Sequence, residues 1–288
     1  MLVDVLGCHG GETPRHKTSA FLLDGRLALD AGALASMLTI EQQCALEAVV
    51  VSHAHLDHVR DLAGVLDNRV QSGAGLLRVY APAETIAVLK AHFFNGLLWP
   101  DFTRIPSVDA PSLALLPLAW EQPESLLDGA FTVTAVPVTH TIDCAGFVVA
   151  AGLPGGGGAA LGYTGDTGPT DRFWEVLDAT PNVRLLLAEV SLPESQGHLA
   201  RLSGHHTPTT LANDLAKRIT TSPSAEWQAA KWLDPRVVMV PARDGVKVPA
   251  RLYLPEDLGV KRNPKKPAVI FVHGAGYLQN AHRYWSSY

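Results

Sequence analysis

The chain has 288 residues, of which 47% are hydrophobic, 18% charged and 7% aromatic. At roughly 100–200 residues per domain this allows one large domain or two small ones, and so much apolar residue with so little charge excludes a disordered chain. A net charge of −5, from 23 Lys and Arg against 28 Asp and Glu, comes with no basic block. That argues against capture of a nucleic-acid polymer, which rests on clustered cations.

In chain order, residues 1–10 (MLVDVLGCHG) lack a basic segment and a long apolar core, so no signal peptide is expected. Short apolar runs at Leu2–Leu6, Ala20–Leu23, Leu27–Asp30 and Ala48–Ser52 read as strands. Arg60–Arg69 and Ala83–Phe94 read as amphipathic helices on either side of a strand at Leu77–Ala81. Strands are expected at Leu113–Pro117, Phe131–Pro137, Gly146–Ala150 and Ala160–Thr164, with the glycines at 155–158 as a flexible hairpin tip. A helix at Asp171–Ala179, a strand at Arg184–Val190 and a helix at Pro208–Ile219 follow. The texture then changes. A helix start is expected near Ser224, and Val237–Pro241 and Val246–Leu254 flank a hairpin turn at Arg243-Asp244-Gly245. A basic linker, Lys261–Lys266, precedes an apolar strand at Ala268–Val272. The expectation is a layered α/β protein with mixed sheets. No stretch of about 18 uncharged apolar residues suits a membrane span. Cys8, Cys44 and Cys144 form no CxxC pair and read as free thiols in a reducing cytoplasm.

Chemistry concentrates at Ser52-His53-Ala54-His55-Leu56-Asp57-His58, directly after the apolar run AVVVS. A strand running into H-x-H-x-D-H brings imidazoles and a carboxylate together, a donor set that suits zinc, manganese or iron and a hydrolytic site. His140 ends the run FTVTAVPVTH and Asp166 ends ALGYTGD, so both are strand-end donors; Asp166 is suited to bridging two ions.

With those residues in place, the chain resembles the metallo-β-lactamase superfamily over residues 1–219. Within it, the chain is similar to the class II cyclic-nucleotide phosphodiesterases. The resemblance is carried by LGCHGG, TSAFLLDG, LALDAG, SHAHLDHV, YTGDTGPT, AEVSLP and SGHHTP. It implies an αββα sandwich and two divalent ions, with zinc expected and manganese or iron able to serve. One ion would be held by His53, His55 and His140, the other by Asp57 and His58, and Asp166 and a hydroxide would bridge them. The implied activity is hydrolysis of 3′,5′-cyclic nucleotides (cAMP or cGMP) to 5′-nucleotides. Asp57 and His205 are the expected catalytic residues, His205 as the acid that protonates O3′. The family has Leu where this chain has His206, which reads as a solvated neighbour; His198 reads as a surface residue. Glu189 is a candidate to orient His205, and His92, Phe93, Asn95 and Trp99 are candidates to contact base and ribose.

The family's next strand ends in a Thr-His-Leu-Lys-Pro-like motif whose His completes the second ion site, and no such segment follows Ile219. Residues 222–288 instead resemble the start of a prolyl-oligopeptidase-type (S9) α/β-hydrolase domain, through SPSAEWQAAKW, VPARDGVKVPARLYLP and PAVIFVHGAGYLQNAHRYWSSY. No G-x-S-x-G nucleophile elbow occurs in the chain. The expected organisation is therefore a hydrolase domain at 1–219 and a truncated peptidase-like fragment at 220–288 that packs on the fold or completes it. His273, at the end of PAVIFVH, would supply the seventh ligand, with His205 as the alternative. Rival readings are a broad phosphodiesterase or phosphotriesterase, a lactone or ester hydrolase on the same site, and an impaired metal-binding fusion. A small phosphodiester is the expected partner. Neither a nucleic-acid polymer nor a membrane is expected, and a homodimer in the cytoplasm is.

Overall fold

The computed structural model describes residues 1–153, 157–219, 236–241, 245, 247–252, 254, 256, 259 and 261. The chain divides into two compact units, Met1–Arg218 and Ile219–Tyr288.

The first unit holds two sheets. One contains β1 (Val3–Gly7), β2 (Ala20–Leu23), β3 (Leu27–Leu29), β4 (Ala48–Val50), β5 (Leu77–Pro82) and β6 (Leu113–Leu118), in that order. Its first three strands pair antiparallel, and β3 through β6 pair parallel. The parallel connections are crossovers carrying the helices α1 (Leu34–Met37), α2 (Ile40–Ala45), α3 (Leu56–Val59), α4 (Asp61–Gln71) and α5 (Ala83–Val88). The other sheet contains β7 (Pro123–Leu126), β8 (Phe131–Val138), β9 (Cys144–Ala151), β10 (Ala160–Tyr163) and β11 (Val183–Leu187) in the order β11-β10-β9-β8-β7, parallel only between β10 and β11. Helices α6 (Arg172–Ala179), α7 (Gly197–Ser203) and α8 (Pro208–Ile219) complete the unit.

Strand periodicity sorts the side chains into three apolar layers. Phe21, Leu23, Leu27, Leu29, Ala48 and Val50 of the first sheet meet Phe131, Val133, Ala135, Ala145, Phe147 and Val149 of the second. The alternate residues Ala20, Leu22, Val49 and Val79 turn to the helices, where Leu34, Leu62, Val65, Leu66 and Ile86 pack on them. On the far side, Val136 and Val148 meet Phe173, Trp174 and Leu177 of α6, with Leu211 and Leu215 of α8 alongside. Helix, sheet, sheet, helix is the αββα sandwich the sequence led us to expect. Each fully buried leucine or phenylalanine in these layers stabilises the fold by roughly 1.5–3 kcal/mol.

The differences from the sequence reading are local. Ala83–Phe94 is not one continuous helix: α5 stops at Val88 and a π-helical turn covers Leu89–Phe93. Val190 lies beyond β11, which ends at Leu187. The short elements α1, α2, α3, β7 and α7 are additions to the sequence reading. In the second unit, β12 (Arg236–Pro241) and β13 (Lys247–Leu252) pair antiparallel, and Gly245 sits at positive φ between them. Gly155, Gly156, the helix start near Ser224 and the strand Ala268–Val272 fall outside the described residues. Among those described, no helix is long and apolar enough to cross a membrane. All three cysteines are free thiols.

Candidate metal centre

Four chain segments deliver the polar side chains to one end of the sandwich, where parallel and mixed strands leave their carboxyl ends. β4 runs into Ser52 and His53, and His55 lies just before α3, whose first turn carries Asp57 and His58. β8 runs into His140, β10 into Asp166, and the loop between α7 and α8 carries His205. Ring nitrogens and carboxylate oxygens then converge in three overlapping groups: His53, His55 and His140; His53, His58 and Asp166; and His140, Asp166 and His205, each with its atoms within 4.8 Å of one another.

The interior half is locked by a carboxylate that the sequence did not single out as a site residue. Asp30 follows β3 at φ 57 and is fully buried. It accepts from Ser52 N at 2.7 Å, Ser52 Oγ at 2.9 Å, Tyr163 OH at 2.5 Å and His58 Nδ1 at 2.7 Å. Because Ser52 Oγ gives its hydrogen to Asp30, it accepts from His53 Nδ1 at 3.0 Å. Both buried imidazoles therefore spend Nδ1–H on the interior and turn Nε2 to the cluster. Cys144 Sγ also lies 3.5 Å from His53 Nδ1. Asp30 lies in the segment LALDAG, but nothing local there tells a buried carboxylate that collects hydrogen bonds from an ordinary turn residue.

The rim half is held differently. His140 Nδ1 donates to the carbonyl of Gly204 at 3.1 Å, which can only accept, so Nε2 of His140 carries the lone pair. Gly204 sits at φ 66, and a Cβ there would stand 2.8 Å from the His140 Cα, so this close approach requires glycine. His53 Nε2 stands 3.0 Å from His55 Nδ1, which stands 3.2 Å from His140 Nε2. Two of these three nitrogens already present lone pairs, and one shared hydrogen cannot satisfy all the contacts. The set therefore fits a divalent cation.

The electrostatics agree. Burial pushes His53 well below the usual imidazole range. Burial would lower His58 too, but the facing Asp30 and Asp166 carboxylates hold it well above that range. Burial would raise the Asp166 carboxyl, yet the hydrogen bond and charge of His58, with His53 and His205 beyond, keep it below the ordinary carboxylate range. The interior asks for positive charge, which either a proton or a metal ion can supply.

His205 Nδ1 lies 2.8 Å from Glu189 Oε1, and Glu189 Oε2 accepts from the His206 amide at 2.8 Å. That hydrogen bond raises the His205 pKa against the opposing effect of burial. Glu189 thus reaches His205 as the strand-end position suggested. Asp57 lies toward the edge: its Oδ2 is 3.7 Å from His58 Nε2, and it belongs to none of the three tight groups. His206 is not a solvated neighbour. It is fully buried, with Nδ1 3.0 Å from Thr210 Oγ1 and Nε2 3.7 Å from Asp214 Oδ2, because the start of α8 folds over it. His198 is exposed. Of the base and ribose candidates, Phe93 and Trp99 pack against the core and the Asn95 side chain caps its own turn; His92 is exposed. His273 lies outside the described residues.

Comparison with known proteins gives this geometry relatives. A family model described as a beta-lactamase superfamily domain matches residues 28–241. A Yersinia pestis protein named as a probable 3′,5′-cyclic-nucleotide phosphodiesterase is 29% identical over 211 residues, 67% of this chain. The match covers 58% of that protein, so the chain spans less than two thirds of its length. The probable metallo-hydrolase YhfI of Bacillus subtilis (strain 168) is 26% identical over 219 residues, 70% of this chain and 79% of its own. Among solved structures, unliganded yeast PDE1 superposes with a TM-score of 0.67 at 19% identity, over 77% of this chain and 84% of its own. The YhfI crystal structure gives 0.55 at 23%, over 72% and 78%. At these identities the structures speak for the fold alone, and with the family match the chain belongs to the metallo-β-lactamase superfamily.

Proposed function

We propose that this chain is a binuclear metallohydrolase that cleaves phosphodiesters, and that 3′,5′-cyclic nucleotides, opened to 5′-nucleotides, are its substrates. The observation that carries the reading is the convergence of His53, His55 and His140 beside a second set, His58 and Asp166, with Nδ1 of His53, His58 and His140 already engaged and Nε2 left to the cluster. The name of the Yersinia pestis relative supports the substrate class.

His53, His55 and His140 would hold one ion, Asp57 and His58 the other, with Asp166 between them; zinc suits the nitrogen-rich set, and manganese or iron can replace it. Bound there, divalent ions supply the Lewis acidity that activates water and neutralises phosphate charge. The chain's own residues do the rest. Asp30 and Ser52 fix the tautomers and orientation of His58 and His53, which removes reorganisation from the site. Glu189 takes the Nδ1 hydrogen of His205, leaving Nε2 to hold the proton that the departing O3′ alkoxide needs. The Glu189 hydrogen bond, which holds His205 by Nδ1, supports this acid role.

His273, at the end of PAVIFVH within the S9-like fragment we read in residues 222–288, remains our candidate for the seventh ligand. Two ions still bound and unchanged turnover in His273→Ala would remove it. The function itself is tested by incubating purified chain with 3′,5′-cyclic AMP, with added zinc or manganese and with a chelated control. Metal-dependent release of 5′-AMP is expected. Cleavage of aryl phosphodiesters without cyclic AMP turnover would keep the chemistry and remove the nucleotide.

A further inference from the structure

The connection between β1 and β2, residues 8–19, is strongly held at its ends and bare in its middle. Cys8 N and His9 N both donate to Lys17 O, at 3.1 and 3.0 Å, and Thr13 exchanges backbone hydrogen bonds with His16. The Glu12 carboxylate binds the Lys17 ammonium with one oxygen and the Arg60 guanidinium with the other. Arg60 in turn donates to Gly32 O at 2.9 Å, two residues after His58. The loop is thus stapled to the helix start that presents the metal-centre ligands.

Between these anchors lie Gly10 and Gly11, both exposed. Neither has a left-handed φ. Among the described residues, a Cβ on Gly11 would meet nothing within 4 Å, and one on Gly10 would meet only Asp57 Oδ2, at 3.9 Å, an ordinary contact. Gly7 differs: a Cβ there would stand 2.1 Å from Thr18 O. Glycine costs conformational entropy on folding, so two glycines that neither backbone nor packing requires bring no return in stability. Among the described residues, neither amide donates a hydrogen bond. With Gly10 beside the Asp57 carboxylate and Cα atoms about 3.8 Å apart along the chain, His9 also falls within side-chain reach of the site's edge. Its ring is paired with that of His16 at 4.5 Å, and both residues are exposed.

We propose that residues 8–17 are the substrate-positioning wall of the metal centre. Gly10 and Gly11 are kept bare so that the bulky ester group of a phosphodiester lies against the backbone beside Asp57, and Glu12 clamps the wall in place. This rests on the phosphodiester reading and narrows its substrates to diesters carrying a large planar group, with the His9 and His16 rings as the flanking surface.

The test is Gly11→Val in the full chain loaded with metal, assayed on bis(4-nitrophenyl) phosphate and on the smaller methyl 4-nitrophenyl phosphate. An added Cβ meets open space at this exposed position, so unchanged metal content and an unchanged or higher Tm are expected. KM for the bulky diester should rise about tenfold or more, with a much smaller rise for the methyl diester. Unchanged KM for both, or equal losses on both, would overturn the proposal. Glu12→Gln should raise KM for the bulky diester in the same direction, and an unchanged value would remove the clamp. If the wild type cleaves neither diester, the phosphodiester reading fails by itself. Calorimetric binding of the same two compounds then decides the wall: weaker binding of the bulky one by Gly11→Val supports it, and equal binding or none to the wild type overturns it.

Discussion

The two halves of the candidate metal centre are built on different principles. His53 and His58 are buried and answer to Asp30, which collects four hydrogen bonds from Ser52, Tyr163 and His58 in the interior between the sheets. His140 and His205 stand at the rim and answer to loop elements, the Gly204 carbonyl and the Glu189 carboxylate. The interior half is therefore part of the folding core, and its geometry is set when the sheets pack. The rim half is set by a glycine turn and the His205–Glu189 pair. Stability and catalysis should separate along this line.

The largest effect should come from removing an interior ligand. His53→Ala should lose bound metal and with it the Lewis acidity worth several kcal/mol, a fall in turnover of about a thousandfold or more. Elemental analysis beside an aryl phosphodiester assay checks both, and full metal content with near-normal turnover would contradict the assignment.

Asp30→Ala comes next, and it should act mainly on stability. It strands the His58 and Tyr163 donors in the core, a loss of about 3–5 kcal/mol by urea denaturation. A loss under about 1 kcal/mol would show that the interior half is not held as described. On the rim, His205→Ala should cost about 10²–10⁴-fold on substrates with alkoxide leaving groups and little on nitrophenolates, with stability nearly unchanged. Equal losses on both leaving groups would refute the acid role.

What the sequence made legible follows the same division. H-x-H-x-D-H is compact in sequence, so His53, His55 and His58 stand out as candidates, and His140 and Asp166 join them because each closes a recognisable strand; the structure brings all five together. Asp30 does not stand out, because its contacts exist only when β3 and β4 of one sheet face β10 of the other. His206 was misread for a related reason: only the packing of α8, with Asp214 below, shows that it is enclosed. Some misses were readable. Thr39 and Gln42 form a capping box at α2, and the T-x-x-Q pattern is present in the sequence. The π-helical turn at Leu89–Phe93 was not readable, since the apolar periodicity of Ala83–Phe94 continues through it.

The smallest predicted effect sharpens the comparison at the seam between the halves. Among the described residues His206 Nε2 is buried without a hydrogen-bond partner, so His206→Leu should be neutral or stabilising by about 1 kcal/mol in urea denaturation. A loss above about 2 kcal/mol would mean that the imidazole is a structural link between α8 and the rim.

The most direct test of the central claim is metal stoichiometry measured with turnover on the same wild-type sample. Two equivalents of divalent ion per chain are predicted, with bis(4-nitrophenyl) phosphate hydrolysis abolished by chelation and restored by zinc or manganese. Folded protein that takes up no metal, or hydrolysis that is indifferent to the chelator, would contradict it.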